Sequence, residues 1–440
     1  MPSEQFRPIP SPEPEEIPLP PLKGENERIF RLADIKPERK GPPPIPEAVR
    51  KASIEAAQKR MENVQQKDVI PAFEVHGFEG LAVSATLEKK KERLGTSEQN
   101  EDNVLIDPET GLIGVLDGLG GEGEKGAGAL ASKAAELVIP EAYKLAKKEI
   151  DTLDNTELQK RLVEQQLTKA GKPEARKEIT VLMEQLIETD PNMAKEALAL
   201  IESVRGANDA VNESGGKTTA LISKIHNTPD GRRFALIANV GDCAAYKQRE
   251  NGEIIQITEE DSALNSLKRA GVLTENLLAQ MKQDKDKSFP IPLSLEVIQA
   301  MGGGEEELRQ FETKGVKSLP LSFKTLKRSM VAGLGGEVFE PSLTVRELRK
   351  GESIFFVTDG QSDVVEDPET GTVDTRQVLL DMSGEKMQAF FDPAGNVDPD
   401  KLTKHVMSLP LKKRIDNMRS AAAKSDKKDD DIAITAITAK

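Results

Sequence analysis

The sequence has one cysteine, Cys243, no tryptophan and only 3% aromatic residues. A single cysteine excludes an internal disulfide framework and is typical of a reducing compartment. No stretch approaches the ~20 consecutive apolar residues of a membrane span, and no basic segment followed by an apolar run opens the chain. We therefore expect a soluble, cytoplasmic protein without membrane contact, whose core is mostly aliphatic.

The chain also lacks an excess of positive charge. Its formal net charge is −14, and 31% of its residues are charged. Proteins that bind nucleic acid usually present a basic face to the phosphate backbone, so we expect no nucleic-acid partner. If an acidic protein of this kind binds phosphate groups, it needs a bound cation to offset the repulsion between the negative charges.

Composition divides the chain into three parts. Residues 1–45 are rich in proline and glutamate and predict a disordered tail, which is either a solvating segment or a docking peptide for a partner protein. Residues 46–72 predict a weakly amphipathic helix and linker that either packs on the domain or stays free. Residues 73–440 predict the globular domain, in which residues 261–328 form a mobile lobe.

The most informative stretch runs from Asn100 to Gly121. Two short apolar runs flank the turn sequence Asp-Pro-Glu-Thr-Gly at 107–111, a pattern that predicts a β-hairpin. Antiparallel pairing brings the start of the first strand beside the end of the second, so Glu101 or Asp102 should lie close to Asp117. Like charges at close range are unfavourable unless a cation lies between them, and a divalent metal is the simplest candidate.

The other elements follow from hydrophobic periodicity and turn residues. Helices are predicted over 127–148, within 156–212 and within 375–420, and strands over 218–225, 233–240, 242–247, 253–258, 353–357 and 432–438. We interpret the four strands between 218 and 258 as one antiparallel meander. Blocks of helices and antiparallel strands without regular alternation predict a layered α+β fold.

Acidic residues recur where predicted strands begin or end. They are Asp102, Asp117, Asp242, Asp359 and the triplet 429–431. Carboxylates gathered at one sheet edge suit a hard cation such as Mg²⁺ or Mn²⁺, and two such ions could clamp a phosphoryl group for hydrolysis. No paired histidine or cysteine set suggests zinc, and the three histidines are interpreted as surface or packing residues.

These motifs resemble the bacterial branch of the metal-dependent protein phosphatases (PPM, or PP2C-like) over roughly residues 75–438. The resemblance lies in six motifs that occur in the family's order: Asn100-Glu101-Asp102, Asp117-Gly118-Leu119-Gly120-Gly121, Gly216-Lys217-Thr218-Thr219, Val240-Gly241-Asp242-Cys243, Thr358-Asp359-Gly360 and Asp430-Asp431-Ile432. It implies a four-layer α-β-β-α sandwich with two central antiparallel sheets. It also implies a dinuclear Mn²⁺ or Mg²⁺ centre, possible binding of a third ion, and hydrolysis of phosphoserine and phosphothreonine in substrate proteins by a monomeric enzyme.

By position, the resemblance assigns Asp117 as the bridge between two metals and Gly118 as a carbonyl ligand. Asp359 and Asp430 would complete one side, and Asp102 would bind mostly through water, with Asp117 and Asp102 acting in catalysis. Asp242 matches the acid that helps hold a third, weaker metal. The adjacent Asp429 and Asp431 leave the register of the last ligand open by one residue, and residues 261–328 match the family's flap.

Two departures from the family pattern leave alternatives open. Leu119 stands where many eukaryotic members have histidine, and Ser97-Glu98-Gln99 stands where an arginine often grips the substrate phosphate. Arg93 or a nearby lysine could substitute for that arginine. One alternative is therefore a pseudophosphatase that binds phosphoproteins without hydrolysing them. Another is a phosphatase that a partner switches by docking on the proline-rich tail.

Overall fold

The computed structural model describes residues 44–62, 69–75, 78–85, 100–119, 126–167, 183–259, 341–367, 372–393, 396–425 and 431–439. Several predicted features therefore lie outside the described residues: the tail, the lobe at 261–328, Arg93, residues 97–99, most of the second turn at 367–371, Asp429 and Asp430. Within the described residues, no helix is both long enough and apolar enough to cross a membrane.

Two antiparallel sheets form the centre of the domain. The six-stranded sheet has the order β1 (Val69–Val75), β2 (Phe78–Ala85), β13 (Ile432–Ala439), β10 (Ser353–Val357), β7 (Ala244–Gln248) and β8 (Ile254–Gln256). The five-stranded sheet has the order β3 (Asn103–Asp107), β4 (Leu112–Leu119), β5 (Lys217–Asn227), β6 (Arg233–Val240) and β9 (Ser342–Glu347). A small separate pair joins β11 (Glu366–Asp367) to β12 (Thr372–Val373).

Helices cover the outer face of each sheet. The five-stranded sheet packs against α1 (Glu47–Glu62), α2 (Ala127–Ile150), α3 (Asn155–Leu167), residues 183–189 and α4 (Pro191–Glu213). The six-stranded sheet packs against α5 (Asp359–Val365), α6 (Thr375–Ser383), a 3₁₀ turn (Met387–Phe390), α7 (Pro399–Ser408) and α8 (Leu411–Lys424). The predicted α+β fold with four α-β-β-α layers is therefore confirmed.

Three apolar layers hold these elements together, and strand β4 contributes to two of them. Leu112 and Leu116 belong to the core shared with the helices, whereas Ile113 and Val115 belong to the core between the two sheets. This alternation follows from the period of two in a β-strand. Asp117 continues the row of Ile113 and Val115, so it lies on the side of β4 that faces the other sheet.

Local signals explain where several elements begin. Asp190 caps α4, since its carboxylate accepts a 2.8 Å hydrogen bond from the Asn192 amide, and Pro191 occupies the first turn. The helix α1, whose packing the sequence left open, packs on the domain: Ile45, just before it, is 3% exposed and belongs to the same core as α2 and α4.

The prediction of one continuous meander between 218 and 258 is wrong. Strand β6 pairs with β5 and β9, whereas β7 pairs with β8 and β10, so the chain passes from one sheet to the other between β6 and β7. Gly241, with φ of 98°, provides the positive φ at this crossing. The partners β9 and β10 follow about a hundred residues later in the chain, and local turn residues could not reveal this pairing.

Candidate metal centre

Three carboxylates converge at one end of the sandwich. Asp117, Asp242 and Asp359 each contribute an oxygen, and these three oxygens lie within 4.8 Å of one another. Asp117 and Asp242 are only 6% and 5% exposed, and Asp359 is half-buried. Like charges brought together at buried positions oppose each other's ionisation unless a cation offsets the repulsion. An all-oxygen donor set of this kind fits Mg²⁺ or Mn²⁺.

The three carboxylates come from three different parts of the fold. Asp117 belongs to β4 in the five-stranded sheet, Asp242 follows the glycine at the crossing between the sheets, and Asp359 is the first residue of α5, just beyond β10 of the six-stranded sheet. The site therefore depends on the packing of the two sheets, because neither sheet carries all three groups.

The β3–β4 hairpin fixes Asp117. Its turn is closed by Gly111, with φ of 73°, and by Asp107, whose carboxylate accepts a 3.1 Å hydrogen bond from the Thr110 amide. At the other end, Asp117 stands opposite Thr219 of β5, and the Thr218 hydroxyl donates to the Asp117 carbonyl at 2.8 Å. The hairpin that the sequence predicts is thus observed, with Asp117 one strand in from the edge.

Gly118 allows an unusually close approach between β4 and α2. A Cβ atom at Gly118 would lie 2.3 Å from the Gly128 carbonyl oxygen and 2.6 Å from the Glu101 carbonyl oxygen. A Cβ atom at Gly216 would lie 2.0 Å from the Ala127 carbonyl oxygen. These contacts require glycine and bring the first turn of α2 beside Asp117. The role of the Gly118 carbonyl as a metal ligand stays a prediction.

Asp102 lies next to this trio without belonging to it among the described residues. Its side chain is 4% exposed and accepts a 2.5 Å hydrogen bond from the hydroxyl of Thr358, the residue before Asp359. The preceding carbonyl, of Glu101, accepts a 3.1 Å hydrogen bond from the Gly118 amide. The expected proximity of the 101–102 segment to Asp117 is therefore observed at the level of the backbone.

Asp431 also reaches this segment. It is 1% exposed, and its Oδ2 accepts a 2.8 Å hydrogen bond from the Glu101 amide. Asp431 is not one of the three residues whose oxygens converge within 4.8 Å among the described residues. Asp430, the other residue that the last motif offers as a ligand, lies outside the described residues.

The electrostatic character of the centre is visible at Cys243, which is fully buried beside Asp242. Burial raises the pKa of the Cys243 thiol well above its usual value, and the negative charges of Asp117 and Asp242 raise it further. A contact of 3.0 Å between the thiol and the Thr219 hydroxyl opposes this shift only in part. The thiol is therefore neutral at neutral pH.

Sequence reasoning gave no role to three residues that shape this centre: Thr358, Thr219 and Gly128. Thr358 precedes Asp359 directly, but its hydrogen-bond partner Asp102 is 256 positions away in the chain. Leu119, at the position where the sequence resemblance would place a histidine, is half-buried at the end of β4.

No protein-family model and no curated protein matches the chain. Solved structures similar to it are bacterial serine/threonine phosphatases. PstP/Ppp of Mycobacterium tuberculosis is 16% identical, with a TM-score of 0.39, over 82% of this chain and 99% of that chain. A phosphatase of S. agalactiae is 16% identical, with a TM-score of 0.40, over 82% and 100%. Stp1 of Staphylococcus aureus is 15% identical, with a TM-score of 0.40, over 86% and 100%.

Proposed function

We propose that this chain is a PPM-type, metal-dependent protein phosphatase that hydrolyses phosphoserine and phosphothreonine in substrate proteins. The observation that carries the proposal is the convergence of Asp117, Asp242 and Asp359 within 4.8 Å, from three separated parts of the chain. The six sequence motifs that resemble this family, in their order along the chain, support the same reaction.

The proposed ligands are all oxygen donors. Asp117 and the Gly118 carbonyl would hold two ions together with Asp359 and Asp430, and Asp242 would contribute to a further ion. Bound Mn²⁺ or Mg²⁺ would supply charge neutralisation at the phosphoryl group and activation of a water molecule. Carboxylates at these positions suit either ion.

The side chains around the metal site would orient the attacking water. Asp102, held by the Thr358 hydroxyl, would orient water beside Asp117, so that both residues act in catalysis. Because Leu119 has no ionisable group, a proton for the leaving alkoxide cannot come from that side chain. The proposed substrates are phosphorylated proteins. We also propose that the enzyme is a monomer and that a partner protein can dock on residues 1–45.

The direct test is Mn²⁺-dependent hydrolysis of p-nitrophenyl phosphate and of a phosphothreonine peptide. Wild-type protein should hydrolyse both, and activity should disappear in excess chelator and in Asp117→Asn. Asp107→Asn is the matched control, because it makes the same change at the other end of the same hairpin, where asparagine can still accept the turn hydrogen bond. Activity that survives chelation or Asp117→Asn would contradict the proposal.

A second candidate function, a phosphoprotein-binding pseudophosphatase, is favoured mainly by the sequence Ser97-Glu98-Gln99, which stands where the family often has the arginine that grips the substrate phosphate. It keeps the same fold and the same cation site but requires no turnover. Calorimetry separates the two functions: binding of the phosphothreonine peptide in the presence of Mn²⁺, without release of phosphate over hours, would favour the pseudophosphatase.

A further inference from the structure

Residues 100–102 connect the two sheets at the candidate metal centre. Toward the five-stranded sheet, the Glu101 carbonyl accepts a hydrogen bond from the Gly118 amide at 3.1 Å. Toward the six-stranded sheet, the Asp102 carbonyl accepts a 3.1 Å hydrogen bond from the Ser84 hydroxyl, which in turn accepts one from the Asn100 side-chain amide at 2.7 Å. Glu101 and Asp102 lie outside any strand, so these contacts decide where Asp102 points.

The hydroxyl of Thr358 has its proton directed to Asp102. The side chain is fully buried, and its Oγ1 accepts a 2.9 Å hydrogen bond from the Ala433 amide, which can only donate. The single hydroxyl proton is then available to the Asp102 carboxylate at 2.5 Å, since the other acceptor within reach, the Ala433 carbonyl, is 3.5 Å away. Charge-assisted hydrogen bonds of this length are among the strong ones.

Asp431 holds the neighbouring residue from the same sheet. Its Oδ2 accepts from the Glu101 amide at 2.8 Å. The backbone of Asp431 is itself fixed by Gly360, where a Cβ atom would lie 1.9 Å from the Asp431 carbonyl oxygen. The Thr358 amide also donates to the Ala433 carbonyl at 3.1 Å. The residues after β10 and before β13 thus form one tightly packed support.

We propose that Thr358 and Asp431 are positioning residues that hold Glu101 and Asp102 beside Asp117 and Asp359. In this proposal Asp431 acts as a hydrogen-bond acceptor for the Glu101 amide and not as a metal ligand. The inference rests on the proposed metal-dependent function, but its main readout is the affinity for Mn²⁺ alone.

Two substitutions of Asp431 distinguish its two possible roles, hydrogen-bond acceptor and metal ligand. Asp431→Asn keeps an oxygen acceptor for the Glu101 amide but removes the negative charge that a ligand needs, whereas Asp431→Ala removes both. Calorimetric titration with Mn²⁺ should give an affinity for Asp431→Asn within about 3-fold of wild type and a loss of about 10- to 100-fold for Asp431→Ala, the range typical of residues that support metal ligands. Equal losses in both variants would overturn the assignment, because a ligand loses its charge in each.

Two substitutions of Thr358 form a matched pair, because each changes the shape of the side chain only slightly and only one removes the hydroxyl. Thr358→Ser keeps the hydroxyl, and Thr358→Val keeps the volume without it. Thr358→Ser should bind Mn²⁺ like wild type, and Thr358→Val should lose about 10- to 100-fold in affinity. Wild-type affinity in Thr358→Val would overturn the role of the hydroxyl.

A measurement without metal completes the test. Hydrogen exchange at the Glu101 amide should be slow in wild type and in Asp431→Asn and faster in Asp431→Ala. If Asp431→Ala does not fold, Asp431→Asn decides alone: retained Mn²⁺ affinity supports the proposal, and lost affinity overturns it. A wild-type protein that binds Mn²⁺ but hydrolyses neither phosphate ester refutes the proposed function and leaves this inference to be decided by the titrations.

Discussion

The two ends of strand β5 bury acidic side chains in opposite ways. Near its start, Asp117, Asp242 and Asp359 converge on one another. Near its end, Asp190 and Glu196 flank the imidazole of His226, with 2.9 Å from its Nε2 to Asp190 and 2.8 Å from its Nδ1 to Glu196. The second cluster contains its own potential cation, whereas the first gathers carboxylates around a common point.

The pKa of His226 shows how the second cluster works. Burial opposes protonation of the ring, but the hydrogen bonds to the carboxylates of Glu196 and Asp190 outweigh it, so the pKa of His226 is raised above its usual value of 6.5. Its protonated form bridges the end of β5 to α4. Burial of acidic residues alone therefore does not identify a metal site. Carboxylates that are bridged by a basic side chain stabilise the fold, whereas carboxylates that converge on one another form a site for a bound cation.

The largest expected difference concerns catalysis. Asp117→Asn should lower the Mn²⁺-dependent kcat/KM for a phosphothreonine peptide by at least about 10³-fold, since metal ions contribute several kcal/mol of transition-state stabilisation. Asp190→Asn, the same change at the other end of β5, should stay within about 3-fold of wild type. Similar losses in both variants would erase the distinction between the clusters.

The next effect concerns folding. His226→Leu should lower the free energy of unfolding by about 3 kcal/mol, because it leaves the buried Asp190 and the partly buried Glu196 without the bridging ring. Urea unfolding followed by circular dichroism measures this loss. His405→Leu is the control, since His405 is only partly buried and its ring lies 5.5 Å from that of Phe390 without, among the described residues, a carboxylate on either side. A change below 0.5 kcal/mol, on the order of an ordinary surface substitution, would argue against a structural bridge.

The contribution of His226 should also depend on pH. Because its pKa is raised in the folded state, the stabilisation is complete below the unfolded pKa of about 6.5 and is lost as pH rises through the higher, folded pKa. The difference in unfolding free energy between wild type and His226→Leu should therefore shrink from pH 6 upward. A difference that grows with rising pH would contradict the bridge.

Metal should stabilise only the first cluster. At a Mn²⁺ concentration of 100 times Kd, ligand binding to the folded state raises the free energy of unfolding by about 2.7 kcal/mol. Thermal unfolding with Mn²⁺ and with chelator should show this gain in wild type and in Asp190→Asn and should not show it in Asp117→Asn. A gain of the same size in Asp117→Asn would place the ion elsewhere.

The smallest effect has opposite signs at the two ends. Without metal, Asp117→Asn should leave stability unchanged or raise it by up to about 1 kcal/mol, because it relieves repulsion among converging carboxylates. Asp190→Asn should lower stability by about 1 kcal/mol through loss of the charged partner of His226, while asparagine still caps α4. Urea unfolding in chelator measures both, and a destabilised Asp117→Asn would contradict this account of the repulsion.

Sequence alone anticipated the features that local residues determine. The turn at 107–111 specifies the β3–β4 hairpin, and Asp190-Pro191 specifies the start of α4, because the interactions involved lie within a few residues. The four-layer fold was implied by the resemblance of the six sequence motifs to the PPM family. The pairing of β6 with β9 and of β7 with β10 could not be read from turns, since it depends on segments about a hundred residues away.

The same limit applies to the site. Acids at strand ends pointed to a shared edge, but the hydrogen bond between Thr358 and Asp102 spans 256 positions, and that between Asp431 and Glu101 spans 330. The sequence predicts that His226 is a surface or packing residue. The His226 side chain is buried between Asp190 and Glu196, which lie 36 and 30 positions away in the chain. The residues that flank His226 in the sequence do not encode these contacts.

The most direct measurement is the anomalous diffraction of crystals grown with Mn²⁺, collected at the manganese absorption edge. The expected result is anomalous peaks within coordination distance of the carboxylates of Asp117 and Asp359. Absence of a peak there at saturating Mn²⁺, or a peak only at the Asp190–Glu196 cluster, would contradict the assignment of the converging carboxylates as the metal centre.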